Sequence, residues 1–400
     1  MGLLPQASFS IFLFLLFFAE SIPQMSSTTL LWAAPAILLS SLMIAWAAES
    51  AQYFVAQGFA LAILAWLQTL PEFAVEAVLA WHQQTHLLLA NLTGALRLLT
   101  GIGWPLIYLT ASIFHRRRTG KPLLCIELED HHAVEVLGLL AALLYIPVIA
   151  IKNTLTVWDG AFLLAIYIVY LIILSRLPTE DHETVEDLEA IPRAIVTARR
   201  PTRILAISLL FLAGGALIYF SAEPFLAGLL AFAVMMGMPD FVFVQWIAPL
   251  VSEFPEMLST LYWARRPGRG SMSLMNMVSS NINQWTMLTA MLPVVYSMSV
   301  GKPTPITFDG KQEIELWLTL GQAALGVAFL INMELSWHEA LALGVLFAIP
   351  FASDSLKPAV TYVYFLWVAV EVVRILVGNR KGRAFPLFAQ VWRTHVRGVM

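Results

Sequence analysis

Two copies of one short polar signature stand inside apolar stretches of the sequence: Leu70-Pro71-Glu72, followed by Asn91, and Phe254-Pro255-Glu256, followed by Asn276. This repetition indicates a tandem duplication. A proline inside a helix leaves a backbone carbonyl without its hydrogen bond, and a carboxylate at mid-membrane depth costs roughly 2.5 to 3.5 kcal/mol. A cation held between two broken helices would offset that cost, because carboxylate, hydroxyl and carbonyl oxygens are the ligands that hard cations prefer.

The composition places the chain in the membrane. Of its 400 residues 59% are hydrophobic and 12% are charged, and the mean hydropathy is +0.76, which is typical of a polytopic membrane protein. Its one cysteine, Cys125, excludes an intrachain disulfide and a thiolate zinc site. No hydrolase, metalloprotease or nucleotide-binding motif indicates an enzyme, and no basic run interleaved with aromatic residues indicates a nucleic-acid partner. The expected partners are the lipid bilayer and inorganic cations, without a cofactor.

Apolar segments of about twenty residues predict eleven membrane spans. They lie near 30–57, 59–81, 87–112, 132–151, 157–175, 204–234, 239–263, 272–299, 313–333, 336–352 and 358–378. The predicted organisation is an N-terminal segment (1–29), a first membrane repeat (30–176), a linker (177–203), a second membrane repeat (204–352), and an extra span with a tail (353–400). The short apolar run at 9–19 is compatible with a signal peptide or with an interfacial helix.

The basic residues predict the orientation of the chain. Seventeen of the 23 Lys and Arg residues fall in four groups: 116–121, 176–203, 265–269 and 380–397. With eleven spans all four groups lie on one side, and the positive-inside rule makes that side the cytoplasm. The linker and the C-terminus are then cytoplasmic and the N-terminus is outside, in a multi-pass protein of the cell membrane.

The span count also predicts the symmetry of the duplication. Five spans precede the linker, and an odd number per unit turns the second unit upside down in the membrane. Weaker echoes support the repeat: Ala48-Glu49 matches Ala222-Glu223, and Trp158-Asp159-Gly160-Ala161 matches Trp337-His338-Glu339-Ala340. The predicted fold class is therefore an all-α polytopic membrane protein of two inverted five-helix repeats plus one C-terminal span. Inverted repeats are the architecture of secondary transporters.

At these motifs the chain resembles the sodium/calcium exchanger family of the cation/calcium antiporter superfamily. That family carries Gly-Thr-Ser-Leu-Pro-Glu in each repeat, and then Gly-Asn-x-x-Gly-Ser-Asn on the next helix. The corresponding stretches here run from Leu67 to Glu72 and from Ala90 to Leu96 in the first repeat, and from Val251 to Glu256 and from Met275 to Asn281 in the second. The resemblance covers about residues 30–352.

The resemblance implies a cation site. It makes Glu72 and Glu256 the two carboxylates that face a divalent metal ion, and it adds oxygen ligands from Thr69, Ser252, Ser280, Asn281 and Gln284. The carboxyl group of Glu253 is expected to join this set. Asn276, Ser280 and Gln284 also share one helical face by their spacing. The first repeat departs from the family pattern, because Ala95, Leu96 and Leu99 stand where polar ligands are expected.

Two charged residues are additions to the family pattern. Glu253 replaces a serine, and Arg97 lies within the first repeat's downstream helix. An unpaired guanidinium at midspan is very costly, so Arg97 is expected to meet Glu72, Glu76 or Glu253 and to act as a fixed cation in the site. The alternative is that Arg97 faces a structural partner or a water-filled edge, because it lies about 200 degrees around the helix from Ala95.

The expected function is antiport of calcium, or a related divalent cation, against protons or sodium by alternating access. Glu253 can take up a proton and the first repeat lacks sodium ligands, so proton coupling is favoured over sodium coupling. The alternative is a degenerate, non-transporting sensor or scaffold, in which an Arg97 ion pair closes the cation site.

Overall fold

The computed structural model describes residues 26–51, 54, 69–177, 188 and 190–396, and this part of the chain is built almost entirely of helices. The helices are α1 (Leu30–Ala51), α2 (Leu70–Trp81), α3 (Thr85–Leu98), α4 (Trp104–Thr119), α5 (Ala133–Lys152), α6 (Val157–Leu174), α7 (Ala190–Thr197), α8 (Arg200–Met236), α9 (Asp240–Ala264), α10 (Gly270–Asn283), α11 (Thr289–Val300), α12 (Gly310–Leu330), α13 (Trp337–Ala352), α14 (Lys357–Leu376) and α15 (Ala384–Val391). The strands are β1 (Cys125–Glu127), β2 (Thr154–Leu155), β3 (Ile306–Thr307) and β4 (Glu334–Ser336).

These helices follow the predicted order of spans and confirm the all-helical membrane fold. Within the described residues, seven helical segments are long and apolar enough to cross a membrane, and α13 is a shorter apolar helix. The predicted span at 59–81 is described only from Thr69 onward, and the apolar run at 9–19 lies outside the described residues. The short helices α7 and α15 were not predicted; they lie in the linker and in the tail.

Burial separates the central helices from the peripheral ones. Nearly every residue of α2 and α3 is buried, and most of α10 and α12 is buried as well. In contrast, α6, α8 and α14 expose large apolar side chains, among them Val169, Leu212 and Leu366. Exposed apolar side chains on the outer helices are what a hydrocarbon environment favours, whereas the central helices carry the polar motifs.

The four short strands show how the repeats are related. β1 pairs with β4 and β2 pairs with β3, both antiparallel, so each small sheet takes one strand from each repeat. Along the chain α5 connects β1 to β2, and α12 connects β3 to β4. The two helices therefore run in opposite directions between the same two ends of the bundle, the β1/β4 end and the β2/β3 end. This confirms that the repeats are inverted.

A second symmetric feature is a π-helical turn in each repeat. Leu99–Gly103 joins α3 to α4, and Gln284–Leu288 joins α10 to α11. The two turns are 185 residues apart, which is the spacing that relates Ala95 to Ser280 in the motifs. π-Helical turns are rare and concentrate at functional sites. Their recurrence shows that the duplication extends to local backbone geometry next to the polar motifs.

The basic groups gather at the β1/β4 end. Arg118 donates a hydrogen bond to the carbonyl of Arg265, which joins the first group to the third. Arg176 follows α6, which starts at β2 and so ends on the β1/β4 side. Arg380 bonds the carbonyl of Phe329 and pairs with Glu339 near β4. Members of all four groups thus lie at the same end of the bundle, which the positive-inside rule requires of basic residues in cytoplasmic loops.

The structure corrects the prediction of two broken helices. Pro71 lies in the first turn of α2, where a proline costs no hydrogen bond, and residues 55–68 before it lie outside the described part. In the second repeat α9 is helical from Asp240 to Ala264 and passes through position 255 without ending. The prediction of a second broken helix was wrong, because a membrane helix tolerates a proline when neighbouring groups satisfy the freed carbonyl.

Labelling of single cysteines tests the orientation. In a background with Cys125 replaced by serine, Lys121→Cys and Arg393→Cys, both at exposed positions, should react with a membrane-impermeant maleimide only after the cytoplasmic side is opened. The matched control is Lys302→Cys, an exposed residue between α11 and β3 at the opposite end, which should react in intact cells. The reverse pattern would overturn the assignment of the β1/β4 end to the cytoplasm.

Candidate functional site

The centre of the bundle holds a bridge between carboxyl groups of the two repeats. Gln284, the first residue of the second π-turn, donates through Nε2 to Glu72 Oε2 at 2.7 Å and to Glu253 Oε1 at 2.8 Å. Glu72 comes from α2 and Glu253 from α9, so one amide nitrogen binds both repeats together. The π-turn places this amide between the two helices.

A third carboxyl group extends the bridge. Glu253 lies within hydrogen-bonding reach of both Glu72 and Glu256, and Ser280 Oγ donates to Glu256 Oε2 at 2.9 Å. Two carboxyl groups attract one another only when a proton or another cation lies between them, since two bare carboxylates repel. The row Glu72, Glu253, Glu256 is therefore built to share positive charge.

The electrostatic surroundings of this row are unusual. Glu72 is 1% exposed and Glu253 is 3% exposed, and no Lys, Arg or His of the described residues forms an ion pair with either. Glu72 Oε1 and Gln284 Oε1 are buried and receive no hydrogen bond from the described residues. Orphaned oxygens beside uncompensated carboxyl groups are a donor set for a hard cation. These groups contact one another through shared hydrogen bonds. Among the described residues, no group of three or more Asp, Glu, His or Cys side chains is arranged to coordinate a metal ion.

The remaining predicted ligands divide into two sets. Thr69 Oγ1 accepts a hydrogen bond from Asn283 Nδ2 at 2.8 Å, next to the bridge. Ser252 Oγ instead donates to the carbonyl of Pro249 in its own helix, and Asn281 donates to the carbonyl of Met277. The structure thus joins Glu72, Glu253, Glu256, Ser280 and Gln284 through hydrogen bonds, and it links neither Ser252 nor Asn281 to a carboxyl group.

Sequence reasoning missed three polar contacts around the bridge. Thr100, in the first π-turn, donates to Asn281 Oδ1 at 3.1 Å, and Asn283 binds Thr69. Both contacts cross between the repeats. Glu76 Oε1 accepts from Asn91 Nδ2 at 2.9 Å. The sequence did contain a signal for the pair of Glu76 and Asn91, because Glu76 follows Glu72 by one helical turn inside an apolar helix.

The glycine of the first downstream motif has a packing role. A Cβ atom on Gly94 would lie 1.9 Å from the carbonyl oxygen of Gln245, so the backbones of α3 and α9 are in direct contact there. Such an approach admits only glycine without a backbone shift. The contact holds the first repeat's downstream helix against the helix that carries Glu253 and Glu256. The neighbouring Ala95 and Leu99, which replace polar family residues, are fully buried.

Arg97 is buried in an ion pair, but its partner is not one of the three predicted carboxylates. Its Nη1 lies 2.6 Å from Oε2 of Glu315 on α12, and its guanidinium stacks 4.8 Å from the ring centre of Trp246. Lys357 of α14 binds the other oxygen of Glu315. The prediction of a pair with Glu72, Glu76 or Glu253 was wrong because Arg97 points away from the Ala95 face, toward α12. The arrangement agrees instead with the alternative prediction, in which Arg97 has a structural partner, here Glu315.

The Arg97 pair anchors the extra C-terminal helix. Gln322 of α12 donates to the carbonyl of Arg97 at 2.8 Å, and Tyr364 of α14 donates to Gln322 at 3.3 Å. Together with Lys357, these contacts tie α14 to α12 and to α3. The eleventh predicted span, which has no partner in the other repeat, is thereby bound to the helix next to the central carboxyl groups.

Other buried acidic residues near the helix ends have basic partners. Asp159 binds Lys152 and caps α6 with Thr156, and Glu339 caps α13 with Ser336 and binds Arg380. Both helices therefore begin with the same kind of capping box. Glu223 of α8 lies 3.8 Å from His82 at the β2/β3 end of α2.

Comparison with known proteins identifies the class. The family model described as sodium/calcium exchanger protein matches residues 24–176 and 207–351, one block for each repeat. Among solved structures, the H+/Ca2+ exchanger CAX is 32% identical, with a TM-score of 0.84 over 92% of each chain. Native YfkE is 14% identical (TM-score 0.60, 86% of this chain and 93% of that one). The sodium-calcium exchanger NCX_Mj is 18% identical (TM-score 0.52, 81% and 97%). No curated protein sequence matches significantly.

The chain is therefore a multi-pass membrane protein of the cation/calcium antiporter class, whose members are transporters. Within that class it belongs to the sodium/calcium exchanger family.

Unfolding measurements test the role assigned to Glu315. Glu315→Gln leaves both Arg97 and Lys357 without their shared carboxylate and should lower stability by about 3 to 5 kcal/mol. Arg97→Leu should cost less than Glu315→Gln, because Lys357 still neutralises Glu315. Thermal unfolding of the purified protein in detergent measures both.

The matched control is Glu129→Gln, the same chemical change at a side chain that is 62% exposed. If Glu315→Gln unfolds at the same temperature as Glu129→Gln, the ion pair does not hold α3, α12 and α14 together.

Proposed function

We propose that this protein is a secondary active antiporter that moves calcium, or a related divalent cation, against protons by alternating access. The observation that carries the proposal is the row of Glu72, Glu253 and Glu256. Gln284 bridges the carboxyl groups of Glu72 and Glu253, which are both buried and have no basic partner among the described residues. A charge this deep in the membrane needs compensation at every stage of a cycle.

Charge balance explains how one site serves two ions. A divalent cation between Glu72 and Glu256 neutralises two carboxylates, and its departure leaves two bare negative charges in a low-dielectric interior. That state is very costly unless protons replace the ion. The two ions then compete for the same oxygens, and competition for one site is what couples their movements in opposite directions.

Two observations favour protons over sodium as the coupling ion. The first repeat presents Ala95 and Leu99 where the second presents Ser280 and Gln284, so the hydroxyl and amide oxygens for further sodium ions are halved. Glu253 adds a carboxyl group, which binds a proton directly. The similar structure with 32% identity is an H+/Ca2+ exchanger, which supports the same coupling here.

The fold supports alternating access. Inverted repeats can exchange conformations, so that a site between them opens first to one side and then to the other. The described hydrogen bonds between the repeats, from Gln284 to Glu72 and from Thr100 to Asn281, are contacts that such a movement would break and remake. On this proposal the β1/β4 end faces the cytoplasm.

The alternative of a non-transporting scaffold depended on an Arg97 ion pair that closes the cation site. Arg97 pairs with Glu315 and stacks on Trp246, so it does not occupy the row of carboxyl groups. Direct transport measurements separate the two functions.

Calcium uptake into proteoliposomes tests the coupling ion. With an acidic lumen, protons leave down their gradient and calcium should accumulate inside. An outward sodium gradient at equal pH on both sides should drive little or no uptake. An ionophore that exchanges potassium for protons, added with equal potassium on both sides, should abolish the uptake. Uptake driven by sodium alone would replace proton coupling with sodium coupling, and no uptake under either gradient would favour the scaffold.

Variants of the two central carboxylates test the site. Glu72→Gln and Glu256→Gln each remove one of two charges that neutralise the divalent ion, and each should reduce calcium flux about 10- to 100-fold, as expected for the loss of a charged ligand worth about 1.5 to 3 kcal/mol. Glu129→Gln, at an exposed position, is the control and should transport like the wild type. Flux that survives in both site variants would place the cation elsewhere.

A further inference from the structure

Glu76 is a buried carboxyl group that the central row does not use. Its side chain is fully buried, and Oε1 accepts from Asn91 Nδ2 at 2.9 Å. Oε2 of Glu76 and Oδ1 of Asn91, itself 1% exposed, receive no hydrogen bond from the described residues. Two orphaned oxygens therefore stand on two neighbouring helices, α2 and α3.

No basic residue compensates Glu76 in the described part of the chain. The helices packed against α2 include α1, α3, α8, α9 and α11. The basic residues of these helices are His86, Arg97, Arg200 and Arg203. None of them forms an ion pair with Glu76, and Arg97 is bound to Glu315. His82, at the end of α2, lies beside Glu223. A carboxylate without a counter-charge at this depth must either bind a cation or take up a proton.

The pair exists only in the first repeat. The spacing of 184 residues that relates Glu72 to Glu256 relates Glu76 to Thr260. Thr260 Oγ1 donates to the carbonyl of Glu256 at 2.9 Å, so the second repeat has an internally satisfied hydroxyl at this place. The first repeat has thus lost ligands at Ala95 and Leu99 and has gained a carboxyl group one turn beyond Glu72.

We propose that Glu76 and Asn91 form a second cation site, which holds one monovalent cation, a proton or a sodium ion, when the central site is free of calcium. This inference rests on the proposed antiport function. The site carries one negative charge, so a single monovalent charge neutralises it, whereas a divalent ion would leave an excess charge. Glu76 lies about 6 Å along the helix axis from Glu72, and the two charges act on one another. A calcium ion at Glu72 therefore repels the monovalent cation and releases it.

Calorimetry on the purified protein tests the site without transport. Calcium binding, measured in two buffers with different ionisation enthalpies, gives the number of protons released per calcium ion. Glu76→Gln should release one proton fewer than the wild type at the same pH if the cation is a proton. If it is sodium, the sodium dependence of calcium binding should decrease by one ion in Glu76→Gln, with the proton count unchanged.

The control is Glu135→Gln, the same change at a buried glutamate on α5 beside His132 and outside the site. It should leave both ion counts as in the wild type. Asn91→Leu keeps the carboxyl group of Glu76 and removes the amide oxygen. If the bound cation is sodium, this variant should also lower the sodium dependence of calcium binding by one ion. If it is a proton, the number of protons released should stay the same and its pH dependence should change.

The outcomes separate this inference from the proposed function. Unchanged proton and sodium counts in Glu76→Gln, with normal calcium binding, would show that Glu76 is permanently protonated and structural, and would overturn the second site alone. Absence of calcium binding in the wild type would overturn the antiport function and the second site with it. Should Glu76→Gln fail to fold, the ion counts of Asn91→Leu decide, and counts and pH dependence equal to the wild type overturn the site.

Discussion

The cost of a buried carboxylate in the membrane interior organises this structure. Where the carboxylate has a basic partner, as Glu315 has in Arg97 and Lys357, it joins helices to one another. Where it has none among the described residues, as at Glu72, Glu253 and Glu76, the proposed function supplies the compensation by an ion that is able to leave. On this proposal the same chemical group has a structural role where its counter-charge belongs to the protein and a transport role where it does not.

The inverted duplication brings the uncompensated groups together. Each repeat contributes a helix with a carboxyl group and a downstream helix that ends in a π-turn, and the two downstream helices run in opposite directions across the bundle. The second π-turn supplies Gln284, whose amide bridges both repeats. The first π-turn supplies Thr100, whose hydroxyl donates a hydrogen bond to Asn281. Divergence has made the two halves unequal, with Gln284 and Ser280 on one side and Glu76 on the other.

Much of the fold followed from the sequence because the hydrophobic segments and the repeated Pro-Glu motif are strong signals. The inverted symmetry and the order of the helices were predicted correctly, and so was the burial of Arg97 in an ion pair. The partner of Arg97 was not, because Glu315 is 218 residues away and only the packing of α12 against α3 brings them together. The continuity of α9 was also missed, since a proline motif does not reveal whether neighbours satisfy the freed carbonyl. The contact of Asn283 with Thr69 could not be predicted from the family pattern, which contains Asn281 but not Asn283.

A structure determined with bound calcium, with the ion located by its anomalous scattering, tests the central claim most directly. The account predicts one calcium ion between α2 and α9, with oxygen atoms of both Glu72 and Glu256 at about 2.3 to 2.6 Å, and the bridge from Gln284 to Glu72 broken or lengthened. A calcium ion bound away from both glutamates, or an intact bridge with no ion between these helices at saturating calcium, would contradict it.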